Sequence, residues 1–171
     1  MTRYAVLLRG INVGKAKRIA MADLRTLLDG LGFTDVRTVL NSGNAIVTGP
    51  ADDPTAHARR IEAAIAGHAG FEVRTVVLTA AELRAIVDAH PFAEIADDGS
   101  RMMAHVLGEA PDPADAHDPT AADPEHARLV GRVLYQWCPD GVLAAPAVGW
   151  PDGRLVTTRN WNTLTKLVSL L

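Results

Sequence analysis

The alternation of apolar and polar positions divides the chain into short elements. Tyr4–Leu8 is a continuous apolar run ending at Arg9-Gly10, the pattern of a strand buried on both faces. Met21, Leu24, Leu27, Leu28 and Leu31 then recur at helical spacing, with Asp23, Arg25 and Asp29 opposite them. This predicts a surface helix with one core face, which Gly32 ends in a left-handed cap while Phe33 packs back on the last turn. Val36–Leu40 and Ala45–Val47 flank the turn-formers Asn41-Ser42-Gly43-Asn44 and predict a β-hairpin. Asp52 or Asp53 is a good N-cap for a second helix opened by Pro54, carrying Ile61, Ala64 and Ile65 and ending near Gly67 and Gly70. Phe71–Leu78, which alternates early and is β-branched later, predicts a fourth strand.

Strand, helix, strand, strand, helix, strand over residues 3–78 is the split βαβ arrangement called ferredoxin-like. With a right-handed first crossover, strands one and two run parallel. The loop after the first and the Asn41–Asn44 turn after the second then share one edge of the sheet.

The remaining pattern is less regular. Thr79-Ala80-Ala81-Glu82 is a capping box opening a helix through Leu83, Ile86 and Val87, closed by Pro91. Met102–Leu107 and Arg132–Trp137 read as strands, and the Pro-, Asp- and Ala-rich segment 108–123 as a loop, with a short helix from Pro124 toward Val130. Trp150-Pro151-Asp152-Gly153-Arg154 is a turn signal and predicts a hairpin from about Ala145 to Thr157. Trp161, Leu164, Leu167, Val168 and Leu171 make the stripe of a last helix, with Thr158 or Asn160 as N-cap. The expected class is α+β: a ferredoxin-like βαββαβ subdomain over residues 1–90, followed by a smaller α+β subdomain over 91–171 packed against it.

Composition changes this picture little. The chain of 171 residues is 48% hydrophobic, enough to bury a core. A net charge of −3 excludes a surface that is basic throughout, as a dedicated nucleic-acid binder would have. Cys138 is the single cysteine, so no intrachain disulfide forms, and no apolar run near Met1 is long enough for a signal peptide or a membrane helix. A cytoplasmic protein with no membrane partner is the expectation.

The placement of charge is more informative than its sum. Residues 1–22 hold Arg3, Arg9, Lys15, Lys17 and Arg18 and no acid, whereas 88–125 is acidic apart from Arg101, with its histidines neutral. From Gly153 onward only Arg154, Arg159 and Lys166 are charged. The stretch Arg9–Arg18, with its glycines and cations, is suited to phosphate or another anion. It is not a P-loop: one residue is missing between Gly10 and Gly14, and no Ser or Thr follows Lys15.

The candidate ligand-binding residues are Arg9, Asn12, Gly14, Lys17, Asn41, Ser42, Asn44, Arg159, Asn160, Asn162 and Thr163. Each has a plainer explanation beside the functional one. The glycines meet backbone geometry, Asn and Ser are what turns prefer, and Asn160 or Thr163 belongs to the cap of a helix. Asp112, Asp115, His117, Asp118, Asp123 and His126 are metal-ligand types, but no spacing sets them on one helix face, and no metal or cofactor is expected. Cys138 and His105 would form a nucleophile–base pair only if the fold joined them. Trp137, Trp150 and Trp161 read as packing anchors.

Three stretches together carry a family likeness: Leu8-Arg9-Gly10-Ile11-Asn12-Val13-Gly14 with Met21 and Leu24, Asn41-Ser42-Gly43-Asn44, and Thr158-Arg159-Asn160-Trp161-Asn162-Thr163-Leu164-Thr165-Lys166-Leu167. The chain resembles the bacterial family known as domain of unknown function 1697. That resemblance implies a ferredoxin-like subdomain followed by a smaller α+β one, and it implies no activity. Val142–Gly149 departs from the family pattern, which continues there into a Gly-Arg-Ser-Lys-Leu type helix.

Three functions fit these residues. The first is a binding module for an anionic, phosphate-bearing small molecule or a nucleic-acid segment. Recognition of RNA on the sheet face is disfavoured, because the central strands offer only Tyr4 for stacking. The second is an enzyme acting on an anionic substrate, for which the basic face supplies no general base. The third is an interaction protein whose basic ends dock on the acidic middle of a second copy or another partner.

Overall fold

A computed structural model describes residues 1–171. The chain has two antiparallel sheets and four α-helices, and it divides into two compact units, Met1–Arg84 with Lys166–Leu171, and Ala85–Thr165.

The first unit contains β1 (Thr2–Leu8), α1 (Met21–Gly30), β2 (Thr34–Val39), β3 (Asn44–Gly49), α2 (Pro54–Ala69) and β4 (Thr75–Thr79). Its sheet has the order β2-β3-β1-β4 with every neighbouring pair antiparallel, so β1 and β2 point the same way. Tyr4 to Leu8 are all buried, as the unbroken apolar run requires. Tyr4, Val6 and Leu8 pack with Leu24 and Leu28 of α1, Ile61 and Ile65 of α2, and Ala45 and Val47 of β3. Local signals set the ends. Asp53 caps α2 by accepting from the Thr55 amide at 2.9 Å, and Gly70 closes it at φ +74. The strand expected from Phe71 begins only at Thr75, whose amide is held by Glu62 Oε1 at 2.7 Å. His57, a polar residue on the inner face of α2, is fully buried between the rings of Tyr4 and Phe33.

Helix α3 (Ala80–Asp88) starts at the expected capping box: the Thr79 amide donates to Glu82 Oε2 at 2.7 Å, and the Glu82 amide donates to Thr79 Oγ1 at 3.2 Å. The second unit then holds β5 (Met102–Leu107), β6 (Ala127–Val130), β7 (Val133–Trp137), β8 (Val156–Asn160) and the start of α4 (Trp161–Val168). Its sheet has the order β6-β7-β5-β8, again antiparallel.

Two sequence expectations fail in this unit. The helix expected from Pro124 toward Val130 lasts a single turn, in which the Ala127 amide donates to Asp123 O at 2.9 Å, and the chain then becomes β6. The cause is the pairing of Val130 with Val133 across Gly131 at φ +58, which makes β6 and β7 a tight hairpin. The hairpin expected from Ala145 to Thr157 is also absent. Pro146 and Pro151 have no amide to donate, Gly149 and Gly153 sit at φ +115 and +71, and β8 pairs instead with β5, Val156 opposite Leu107. The divergent stretch after Gly141 forms a short 3-10 turn, Val142–Ala144, that leaves Leu143 fully exposed.

Candidate functional site

Leaving β1, the chain turns at Gly10 (φ +69), Asn12 (φ +55), Gly14 (φ +65) and Lys17 (φ +49) before α1 begins. Ile11 and Ile19 anchor the two ends of this loop in the core. Asn12 closes it. Its backbone amide donates to Lys17 O at 3.0 Å, its Oδ1 accepts from the Ile19 amide at 2.9 Å, and its Nδ2 donates to Ile19 O at 2.8 Å and to Asn41 O at 2.7 Å.

The last of these bonds ties the basic loop to the β2–β3 turn, as the parallel sense of β1 and β2 predicts. Gly43 completes the junction: its carbonyl accepts from the Leu8 amide at 2.8 Å, and a Cβ there would lie 2.8 Å from Leu8 Cβ and 2.9 Å from Ile11 Cδ1. Asn44 is fully buried and its amide donates to Val39 O and Ser42 Oγ, both at 2.9 Å. Asn12 and Asn44 therefore hold the site's backbone, and the two hydrogens of the Asn12 amide are already spent.

What this scaffold presents to solvent is charge. Arg9, Lys15, Lys17 and Arg18 are exposed, and no carboxylate pairs with any of them. Arg18 Nη1 donates to Gly14 O at 2.9 Å, which stiffens the tip. Asn41 and Ser42 are exposed beside them. The start of α1 adds little attraction for an anion, because Asp23 in its first turn already answers the helix dipole.

The remaining candidates belong to the second unit and to other tasks. Arg159 is a buried residue of β8, with Nη1 donating to Thr157 Oγ1 at 2.8 Å and to Thr158 O at 2.9 Å. Burial pulls its pKa down to about 10, and the guanidinium stays charged at neutral pH. Asn160 is the N-cap of α4, its Oδ1 accepting from the Thr163 amide at 2.9 Å and from Thr163 Oγ1 at 3.0 Å. Asn162 packs against Gly99, where the Trp161 amide donates to Gly99 O. The charge of Arg154, in the acid-free C-terminal stretch, is answered by Asp115 and Asp152 of the same unit, and that bonding draws the Asp152 carboxyl down to about 2.

The second unit also contains a polar chain that the sequence did not reveal. Gln136 Nε2 donates to Asp123 Oδ2 at 3.1 Å and to Pro146 O at 2.9 Å, which turns its Oε1 toward His105 Nε2, 3.4 Å away. His105 Nε2 therefore carries the proton, and its Nδ1 accepts from Thr158 Oγ1 at 2.7 Å. His126 completes the chain at Asp123 Oδ1, 3.2 Å away. Burial lowers the pKa of His105 and so favours the neutral ring on which this arrangement depends. The residues are scattered in sequence: the β5–β7 and β5–β8 ladders bring His105, Gln136 and Thr158 together, and Asp123 and His126 reach Gln136 from the turn before β6, which pairs with β7.

His105 does not engage Cys138, whose buried thiol is held protonated by burial and by the nearby Asp123. Asp112, Asp115 and Asp118 each accept a backbone amide two residues on, as Asx turns do. No group of His, Cys, Asp and Glu converges in metal-binding geometry.

These two arrangements sit on a fold with known counterparts. No curated protein sequence matches the chain. Among solved structures it is similar to that of a conserved bacterial protein, SP0830 from Streptococcus pneumoniae, at 26% identity over 99% of this chain and 98% of that one, with a TM-score of 0.71. The sequence pattern of the family described as protein of unknown function (DUF1697) matches residues 1–135. That span takes in the basic loop, the Asn41–Asn44 turn and both strands of the β6–β7 hairpin up to Tyr135, and the chain belongs to that family.

Proposed function

We propose that the first unit is a ferredoxin-like scaffold whose basic loop binds a phosphate-bearing anion. The strand order β2-β3-β1-β4 and the βαββαβ succession support the scaffold. One observation carries the binding role: Arg9, Lys15, Lys17 and Arg18 stand exposed and without carboxylate partners on a loop whose backbone is latched by Asn12. Like charges gathered on one tip repel each other in the free protein, and an anion relieves that repulsion. A pre-ordered loop also avoids most of the entropy of ordering on binding. Glycines at positive φ keep the backbone open to close approach.

Isothermal titration with pyrophosphate, nucleoside triphosphates and a short oligonucleotide tests this at low and moderate salt. Binding of at least one of them, weakened about tenfold or more by Lys15→Ala/Lys17→Ala and by added salt, is the expected result. Affinity unchanged in that variant and in Arg9→Ala, or no binding to any of these anions, removes the proposal.

A further inference from the structure

The cations of the basic loop do not stand alone: two large aliphatic side chains share the tip with them. Val13 is 73% exposed and Leu40 is 63% exposed. Val13 follows Asn12, Leu40 precedes Asn41, and the 2.7 Å bond from Asn12 Nδ2 to Asn41 O holds the two tips side by side. Leu40 also sits at φ +58, a backbone region where Gly or Asn is comfortable and Leu is strained. A leucine this exposed in that conformation costs stability twice, in strain and in apolar hydration, and its partial burial returns little of either. Backbone strain of this kind collects at binding sites.

Resting on the reading of the loop as an anion-binding site, we propose that its partner is an anionic phospholipid surface. The tip lies flat on that surface, Val13 and Leu40 enter the boundary between headgroups and acyl chains, and Arg9, Lys15, Lys17 and Arg18 meet the lipid phosphates. Aliphatic side chains flanked by cations are what such a boundary accepts, and each cation near the surface strengthens attachment about fivefold. The absence of a spanning run in the sequence does not bear on this, because the contact is peripheral; no helix of the protein is long and apolar enough to cross a membrane.

Other partners fit the same residues less well. Residues 9–18 and 40–44 contain no aromatic side chain on which a nucleobase would stack. A soluble metabolite calls for a concave site, and one such cavity, of about 380 Å³, lies away from the loop between α1 and α2, lined by Leu27, Leu31, Ala64 and His68 among others.

Vesicle co-sedimentation with phosphatidylcholine alone and with phosphatidylcholine containing phosphatidylglycerol provides the test, alongside titration with pyrophosphate and anisotropy with a labelled oligonucleotide. The wild-type protein is expected to sediment with the anionic vesicles and to stay in solution with the neutral ones. Val13→Ser/Leu40→Asn, uncharged replacements at two exposed positions, is expected to weaken vesicle binding about tenfold or more while leaving pyrophosphate affinity unchanged. Lys15→Glu/Lys17→Glu is expected to lose both, and circular dichroism confirms that each variant is folded. Pyrophosphate binding without vesicle binding overturns the membrane assignment and leaves the anion site standing. Vesicle binding indifferent to Val13 and Leu40 also overturns it, as does oligonucleotide binding that weakens with those two residues. Failure to bind any probe removes both readings.

Discussion

The side-chain amide of Asn12 donates to the backbone carbonyl of Asn41 at 2.7 Å, and through that bond the loop after β1 and the turn after β2 become one surface. Asn12 makes three side-chain hydrogen bonds in all, two of them with Ile19. Replacing it with Ala removes all three and leaves a Cβ residue at φ +55, so a loss of about 2–4 kcal/mol in urea denaturation is expected. Asn12→Gly separates the two causes. Gly tolerates the backbone but cannot make the bonds, and about 2 kcal/mol of the loss remains if the latch matters. Wild-type stability in Asn12→Gly shows that it does not.

This latch marks the limit of what the sequence made legible. The turn at Asn41–Asn44, the Asp53 cap, the Thr79–Glu82 box and the Asn160 cap are all local, with partners a few residues apart, and a short window contains them. The shared edge followed from chain direction alone. The job of Asn12 did not, because its partner is 29 residues away and is a backbone atom that carries no sequence signature. The same holds for His105, whose partners Gln136 and Thr158 arrive from separate strands. The absent hairpin at Ala145–Thr157 has a related cause: β8 pairs with β5, some fifty residues earlier, whereas the local turn signals at Pro151 and Gly153 point to a nearer partner.

Gly43 is required by contact as well as by its φ of +87. In Gly43→Ala the new methyl meets Leu8 Cβ at 2.8 Å, an atom fixed by the backbone of β1, and Ile11 Cδ1 at 2.9 Å. A destabilisation of about 2–4 kcal/mol is expected. Trimming Ile11 to Val in the same chain relieves only the flexible contact, so recovery of less than half of that loss is the expected outcome. Full recovery places the strain on Ile11 instead of on β1.

The neutral state of two histidines gives the stability profile a slope just below neutral pH. Burial lowers the pKa of His105, and it lowers that of His90, whose Nδ1 accepts from the Phe92 amide at 3.1 Å and whose ring lies 4.3 Å from that of Trp161. In the unfolded chain both rings take up protons near the ordinary value of about 6.5, before the folded protein does. Stability is therefore fully present above that pH and falls as the pH is lowered through and below it. Urea midpoints measured from pH 8 to 5 should show this slope, and His105→Asn should flatten it. Histidine NMR titrations that place both rings above 6.5 contradict the assignment.

Tyr135 contributes a slope on the alkaline side. Its hydroxyl, buried in the second unit, donates to Ile86 O at 2.6 Å, and burial raises its pKa to about 12. A phenol in the unfolded chain ionises near 10, so between about 10 and 12 the folded state holds a proton that the unfolded state has lost. Stability falls as the pH rises through this interval. Tyr135→Phe removes the ionisation but leaves the Ile86 carbonyl unpaired, which costs about 1–2 kcal/mol at pH 7. The variant should therefore start less stable and lose less on going to pH 11, and its unfolding curve should approach that of the wild type there. Parallel losses in the two proteins show that another group controls the alkaline limb.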